Sequence, residues 1–452
     1  MLTPDQAQER ATDIVRRARA AGADAADAVY AANASSEVSV RLGALEDVGR
    51  SEGADLGLRV FVGQRSASVS TSDLSAESVG VLVDRAVAMA REAPEDRWAG
   101  LAPESRLLHG AAPLLDLADR DEPDPEALRD AAARAEAAAR AVAGVTNSEG
   151  AGAAWGRSVW ALATSHGFAG AYEATSHTLS ASVIAGGGGA GGGAMQRDHG
   201  FHATRHRAHL DSPEAIGALA GERAAARVGA GRAPSGAMPV VFDPRVGASL
   251  LGHLSGAISG SAVTRRTSFL LDSLGSAVFA PGITVIDDPH RPHGLRSRPF
   301  DGEGLPVSPV AIVSDGMLET WLLDSASARQ LGLEPTGHAA RGIAGAPGVT
   351  TSNLYMEAGH VPVETLIEDI VEGIYVTELI GQGVNPVTGD YSRGAAGFLI
   401  ERGALGRPLT EFTIAGNLRD MFRALTPAND LVFRHGVNVP TLRVEGMTVA
   451  GG

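Results

Sequence analysis

A chain of 452 residues is too long for one compact core, and 44% hydrophobic against 20% charged residues describes a folded protein, so two or three domains are expected. Its net charge of −15 argues against direct nucleic-acid binding, because the most basic stretch, "RDHGFHATRHRAH", is short and mostly histidine. Cysteine and lysine are both absent, which removes thiol nucleophiles, disulfides, sulfur-ligated zinc, phosphate-loop lysines and Schiff-base lysines.

The first helix is announced by Thr3 as N-cap, Pro4 at the first helical position and Gln6 closing a capping box, with Gly22 able to end it. Strand-like "SEVSVRL" and "LGLRVFV" follow, and "SAESVGVLVDRAVAMAREA" reads as a second helix that completes an α+β unit over residues 1–115. The stretch from Ala102 to Pro125, rich in proline and aspartate, reads as a linker or irregular crossing. A middle region over 116–235 then opens with an alanine-rich helix capped by Asp124 and continues as an antiparallel meander, "SVWALATS", "FAGAYEA" and "SHTLSASVIAG". "GGGGAGGGA" at 186–194 reads as a flexible hairpin tip, since no Lys-Ser/Thr follows it as a phosphate loop requires. Ser212 and Pro213 start another helix. From 236 to 452 short β-type runs dominate, with a few helices, so the fold class is α+β with a largely antiparallel C-terminal domain.

No apolar core of the signal-peptide type opens the chain, and no run of about 18 apolar residues crosses it, so cytoplasmic residence and no membrane association are expected. In "DPRVGASLLGHLSGAISG", Asp243 and Pro244 start a helix with Val246, Leu250, Leu251, Leu254 and Ile258 on an apolar face. Ala248, Gly252, Gly256 and Gly260 recur every four residues, a smooth strip along which another backbone could pass. His253 has Ser249 and Ala257 one turn away and no carboxylate nearby, and Ser255 sits one position too late for Gly-x-Ser-x-Gly, so His253 reads as a hydrogen-bonded helix histidine. The denser set is His199, His202, His206 and His209, flanked by Asp198 and Asp211. On a helix it would share one face as a metal site; on a strand, the reading favoured here, His202 and His206 face one way and His199 and His209 the other. His290 and His293 sit among turn formers, and Asp301 and Glu303 in "FDGEG" read as turn carboxylates rather than a glycosidase pair.

"SFLLDSLG" at 268–275, "SRPFDGEG" at 297–304, "YVTELIGQGVNPVTGDYSRGAAGFLIERG" at 375–403, "IAGNLRDMF" at 414–422 and the ending "VEGMTVAGG" resemble the C-terminal domain of the TldD/PmbA metallopeptidase family, most closely its PmbA (TldE) branch. The resemblance implies a cytoplasmic system in which a TldD-type and a TldE-type subunit pair into a hollow zinc peptidase that takes unfolded peptide as an added strand. TldD-like chains carry Leu-Leu-His-Glu-x-x-x-His, with two zinc-binding histidines and a general-base glutamate, and a C-terminal cysteine completes the metal site. Laid on this sequence from Leu250 and Leu251, the motif places Gly252 and Ala257 where the histidines belong and His253 where the glutamate belongs. Sliding the register by one restores neither the glutamate nor the second histidine.

The expectation is therefore a chain without a zinc or catalytic residues of its own. Gly252, His253, Ser255, Gly256 and Ala257 would line a peptide path, and zinc would reside in a TldD-type partner. The alternatives are a homodimeric peptide-binding or chaperone module, and an autonomous hydrolase built on His199, His202, His206 and His209. The family has also been labelled a modulator of DNA gyrase, and the acidic charge favours an indirect effect through proteolysis.

Overall fold

The computed structural model describes residues 1–187 and 194–451, so 188–193 of the glycine-rich tip lie outside the described residues. α1 (Pro4–Ala20) opens with the expected capping box: Thr3 accepts the Gln6 amide, and the Gln6 side chain accepts the Thr3 amide at 3.0 Å. β1 (Ala25–Arg41), β2 (Ala44–Val62), β3 (Arg65–Thr71) and α2 (Ala76–Glu92) follow. After the irregular crossing come α3 (Pro125–Ala141), β4 (Val145–Thr164), β5 (Ala169–Ala185), β6 (Gln196–Thr204) and α4 (Pro213–Ala226). Ser75, Asp124 and Ser212 cap the three later helices by accepting backbone N–H groups.

All six strands belong to one antiparallel sheet in the order β3-β2-β1-β4-β5-β6. β1 pairs with β4 from Asp27 opposite Thr164 to Val40 opposite Ala151, so regions 1–115 and 116–235 share that sheet. α1 and α2 bury Ile14, Val15, Leu82 and Val83 over one end of it, against Leu58, Val60 and Val159. α3 and α4 bury Leu128, Ala139 and Ile216 over the other, against Leu179 and Val183. β2 is much longer than the apolar run that signalled it. Residues 56–61 are buried, but 44–55 form a largely exposed polar arm.

The C-terminal region starts with β7 (Gly236–Phe242), α5 (Pro244–Ala257) and α6 (Gly260–Thr264). β8 (Val285–Asp288), β9 (Val310–Ser314), β10 (Met317–Leu318), α7 (Ser325–Leu331), β11 (Ala339–Ala340), β12 (Gly348–Val349) and β13 (Asn353–Met356) are short. α8 (Val363–Ile367) precedes the long β14 (Glu372–Ile380), β15 (Asp390–Glu401) and β16 (Ala404–Asn417). α9 (Leu418–Arg423), β17 (Leu425–Pro427), β18 (Val437–Asn438) and β19 (Leu442–Gly451) complete the chain. One sheet runs β16-β15-β14-β7-β19-β17, and β16 also pairs with β19, which closes five of its strands into a barrel. A second sheet runs β10-β9-β8-β13-β18. Pairing is antiparallel except for β7–β14 and β13–β18, so the region is largely antiparallel, as expected. Among the described residues no helix is long and apolar enough to cross a membrane.

The "SRPFDGEG" string joins the two halves. Phe300 is 1% exposed and meets Phe168 of the β4–β5 turn edge-on at 4.8 Å and Tyr172 of β5 at 5.7 Å. A methyl on Gly302 would sit 2.4 Å from the Arg341 amide, so only glycine lets these backbones approach. Asp301 accepts the amides of Glu303, Leu305 and Ala339, and Glu303 accepts both the amide and the hydroxyl of Ser325. Both carboxylates are buried structural acceptors. Beside them, Asp27 of β1 receives Arg59 from β2 at 2.7 Å and Arg341 from the C-terminal region at 3.0 Å.

Candidate functional site

α5 is the helix on which the family motif falls. Asp243 accepts the Arg245 amide and Pro244 takes the first turn, where a missing N–H costs nothing. Leu250, Leu251 and Leu254 are fully buried against Val240, Phe242 and Ile374 of the barrel. The opposite side is bare. Gly252 and Gly256 are exposed, and a Cβ built on either meets nothing within 4 Å.

The strip is shorter than its four-residue spacing suggests. α5 ends at Ala257, and Gly260 begins the next helix buried against Ser327. Ala257 is 3% exposed and belongs to the core, so it does not lie on the open face with Gly252 and Gly256. Ser255 and Ser249 spend their hydroxyls on carbonyls of their own helix, Leu251 at 2.8 Å and Val246 at 2.6 Å, so neither is a poised nucleophile.

His253 is half-buried, edge-on to the ring of Tyr391 at 5.9 Å. Its Nε2 has no hydrogen-bond partner among the described residues, and neither has the Tyr391 hydroxyl, which corrects the expectation of a simply hydrogen-bonded histidine. Burial, and then the Arg393 guanidinium, hold the His253 pKa below its ordinary value, while burial pushes Tyr391 up to about 12. Both influences favour the neutral imidazole over the charged one.

These residues do not fit the family's zinc. Gly252 and Ala257 carry no donor and point to different environments, no carboxylate stands by, and Arg393 would repel a cation at His253. What surrounds the helix is nonetheless the set of family strings. The Phe269 amide donates to Pro386 at 2.8 Å, Arg419 donates to the Phe269 carbonyl, and the Leu418 amide donates to Gly389 at 2.8 Å. Strings 268–275, 375–403 and 414–422 thus converge, and Tyr391 within them reaches α5.

The four histidines of 199–209 do not gather at one site. β6 alternates as expected of a strand, with His202 buried and His199 exposed. His202 Nδ1 accepts the Asp211 amide at 3.1 Å, and burial lowers its pKa. His206 and His209 lie beyond the strand with their rings 5.9 Å apart, which corrects the expectation that they face opposite ways, and no four-histidine site forms. Asp198 is a structural anchor: burial raises its pKa, but Arg245 at 2.8 Å outweighs this, and the pair ties β6 to the first turn of α5. Sequence reasoning missed a buried chain, Thr336–His338–Asp287, with Thr336 Oγ1 at 2.8 Å from His338 Nδ1 and His338 Nε2 at 3.4 Å from Asp287. Thr336 Oγ1 already accepts the Leu323 amide at 2.8 Å, so the chain braces loops and does not present a nucleophile.

Three domain profiles match in order: PmbA/TldA metallopeptidase domain 1 at 26–90, the central domain at 118–228 and the C-terminal domain at 235–451. The sequence is 38% identical over 430 residues to metalloprotease PmbA of Escherichia coli O157:H7, covering 95% of this chain and 92% of that one. It is 34% identical over 442 residues to the metalloprotease PmbA homolog of Haemophilus influenzae, covering 97% and 94%. A crystal structure from Bacteroides thetaiotaomicron, named as a candidate modulator of DNA gyrase, superposes with TM-score 0.91 at 28% identity over 100% of both chains. TldE from Thermococcus kodakarensis shares the fold, with TM-score 0.86 at 22% identity over 97% of this chain and 99% of that one. With the fold, the converging strings and the full-length relatives in agreement, the chain belongs to the PmbA/TldD family of metallopeptidases.

Proposed function

We propose that this chain is the zinc-free, TldE/PmbA-type subunit of a cytoplasmic two-subunit peptidase, shaping the chamber and positioning unfolded peptide for a TldD-type partner that holds the zinc. The observation that carries the reading is α5: the motif helix keeps its place in the family framework, yet its ligand positions are Gly252 and Ala257. Peptide would run as an extended segment past Gly252 and Gly256, where the absence of side chains leaves room for a second backbone. No group on α5 performs hydrolysis, so bond cleavage falls to the partner.

Gly252→Leu and Gly256→Leu test the path. Both glycines face open space, and removing a helical glycine stabilises by up to about 1 kcal/mol, so each variant should melt no lower than the native chain. Peptide cleavage by the reconstituted pair should fall at least tenfold while pairing persists. Undiminished cleavage by both variants would place the peptide elsewhere.

A further inference from the structure

The turn after β6, the loop after β8 and the proline- and aspartate-rich crossing bring His206, His293 and Asp116 together, although they are separated in sequence by up to 177 residues. We propose that these three residues, with His209 beside them, form a binding site for a borderline divalent metal ion of the zinc type. His293 Nε2 lies 3.0 Å from Asp116 Oδ2, His206 Nε2 lies 3.0 Å from the Asp116 carbonyl oxygen and 3.5 Å from its Oδ1, and one ligand atom from each of the three residues falls within 4.8 Å of the others. Zinc–nitrogen bonds of about 2.0–2.1 Å set tetrahedral ligand atoms roughly 3.4 Å apart, so small side-chain rotations suffice to close the site.

The donor set suits the ion. Imidazole and carboxylate together favour zinc and its neighbours over calcium or magnesium, which prefer all-oxygen shells. The His209 ring is 4.9 Å from the His293 ring and 5.9 Å from the His206 ring, close enough to become a fourth ligand or to leave that position to water. Of the arginines of the turn, Arg207 is occupied by Asp121 at 3.0 Å and Arg205 by the carbonyls of Thr175 and Gly294 at 3.0 and 3.3 Å, and Asp119 adds a second carboxylate 4.0 Å from His206.

Two of the three residues hold a backbone conformation rare outside glycine, Asp116 at φ +48° and His293 at φ +53°. A cavity of about 280 Å³, lined by His209 and His293, gives an ion access from solvent. Once bound, it would clamp the C-terminal loop to the crossing and to the turn after β6. The site is separate from α5 and holds whether or not the chain acts as a peptidase subunit.

The test is titration of the chelator-stripped full chain with Co²⁺, read by its visible absorption, and competition with Zn²⁺. One equivalent should bind and be displaced by zinc. His206→Gln and His293→Gln should each weaken binding at least tenfold, while His199→Gln, at the exposed histidine of β6, should leave it unchanged. Anomalous scattering at the zinc edge from soaked crystals of the native chain provides the check that needs no variant: a peak among His206, His293 and Asp116 is expected. Absence of Co²⁺ binding, equal binding by both glutamine variants, or a zinc peak elsewhere overturns the proposal.

Discussion

Asp27→Ala is expected to cost about 3–5 kcal/mol of folding stability, the scale for removing one partner from a buried ionic group. Asp27 is 2% exposed, and Arg59 and Arg341 are each 6% exposed. One carboxylate serves two guanidiniums, so its loss leaves two buried positive charges without the carboxylate they share. Arg341 also donates to the Gly345 carbonyl at 2.8 Å, which prevents it from swinging out to water without further loss. Denaturant unfolding of the variant measures the effect. A change below about 1 kcal/mol would mean that the junction between the sheet and the C-terminal region is not held as described. Replacing all three residues with apolar side chains of similar volume should restore most of the loss, because the desolvation of the ions disappears together with their attraction.

Glu303→Gln should change the pH dependence of stability. Burial, with Asp301 as a nearby like charge, pushes the Glu303 carboxyl up to about 7 in the folded chain, against an ordinary 4.5. A raised carboxyl pKa stabilises the fold while the proton is held. Below about pH 4.5 both states are protonated and nothing is lost; between about 4.5 and 7 the unfolded chain ionises first and stability falls. Above 7 the full penalty applies, about 3 kcal/mol at 1.36 kcal/mol per pH unit. Glutamine keeps an oxygen for the Ser325 amide and hydroxyl but has no proton to lose. Its stability relative to the native chain should therefore rise between pH 5 and pH 8 by up to about 3 kcal/mol. A difference that does not vary with pH contradicts the assignment. Arg59 helps the charged form of Glu303, so the Asp27 and Glu303 substitutions share a neighbour and should not add simply.

What could be read from the sequence was local. Thr3, Asp124, Ser212 and Asp243 all cap helices, because a short polar side chain ahead of an apolar period has one strong local use. Residues 196–204 form a strand, the reading favoured over a helix, and this separates His199 from His202. Non-local pairing left no such trace. β1 meets β4 across more than a hundred residues, and no periodicity encodes that partner. The same limit hid His293, which read as a loop residue until the fold set it 4.5 Å from the His206 ring, and Arg393, whose charge reaches His253 on α5 from β15. That Gly252 and Ala257 stand where the motif's histidines fall was legible because it needed only the motif. That Ala257 faces the core, while Gly252 and Gly256 face open space, needed the helix in place.

The central claim is that cleavage belongs to a partner and peptide positioning to this chain. Its most direct test is a peptide-cleavage assay with zinc supplied, run on the isolated chain, on a TldD-type subunit alone and on the two mixed and sized by light scattering. The account predicts no cleavage by the isolated chain, and formation of a mixed complex that cleaves faster than the TldD-type subunit alone. Cleavage by the isolated chain, or a stable homodimer indifferent to the added subunit, would contradict it.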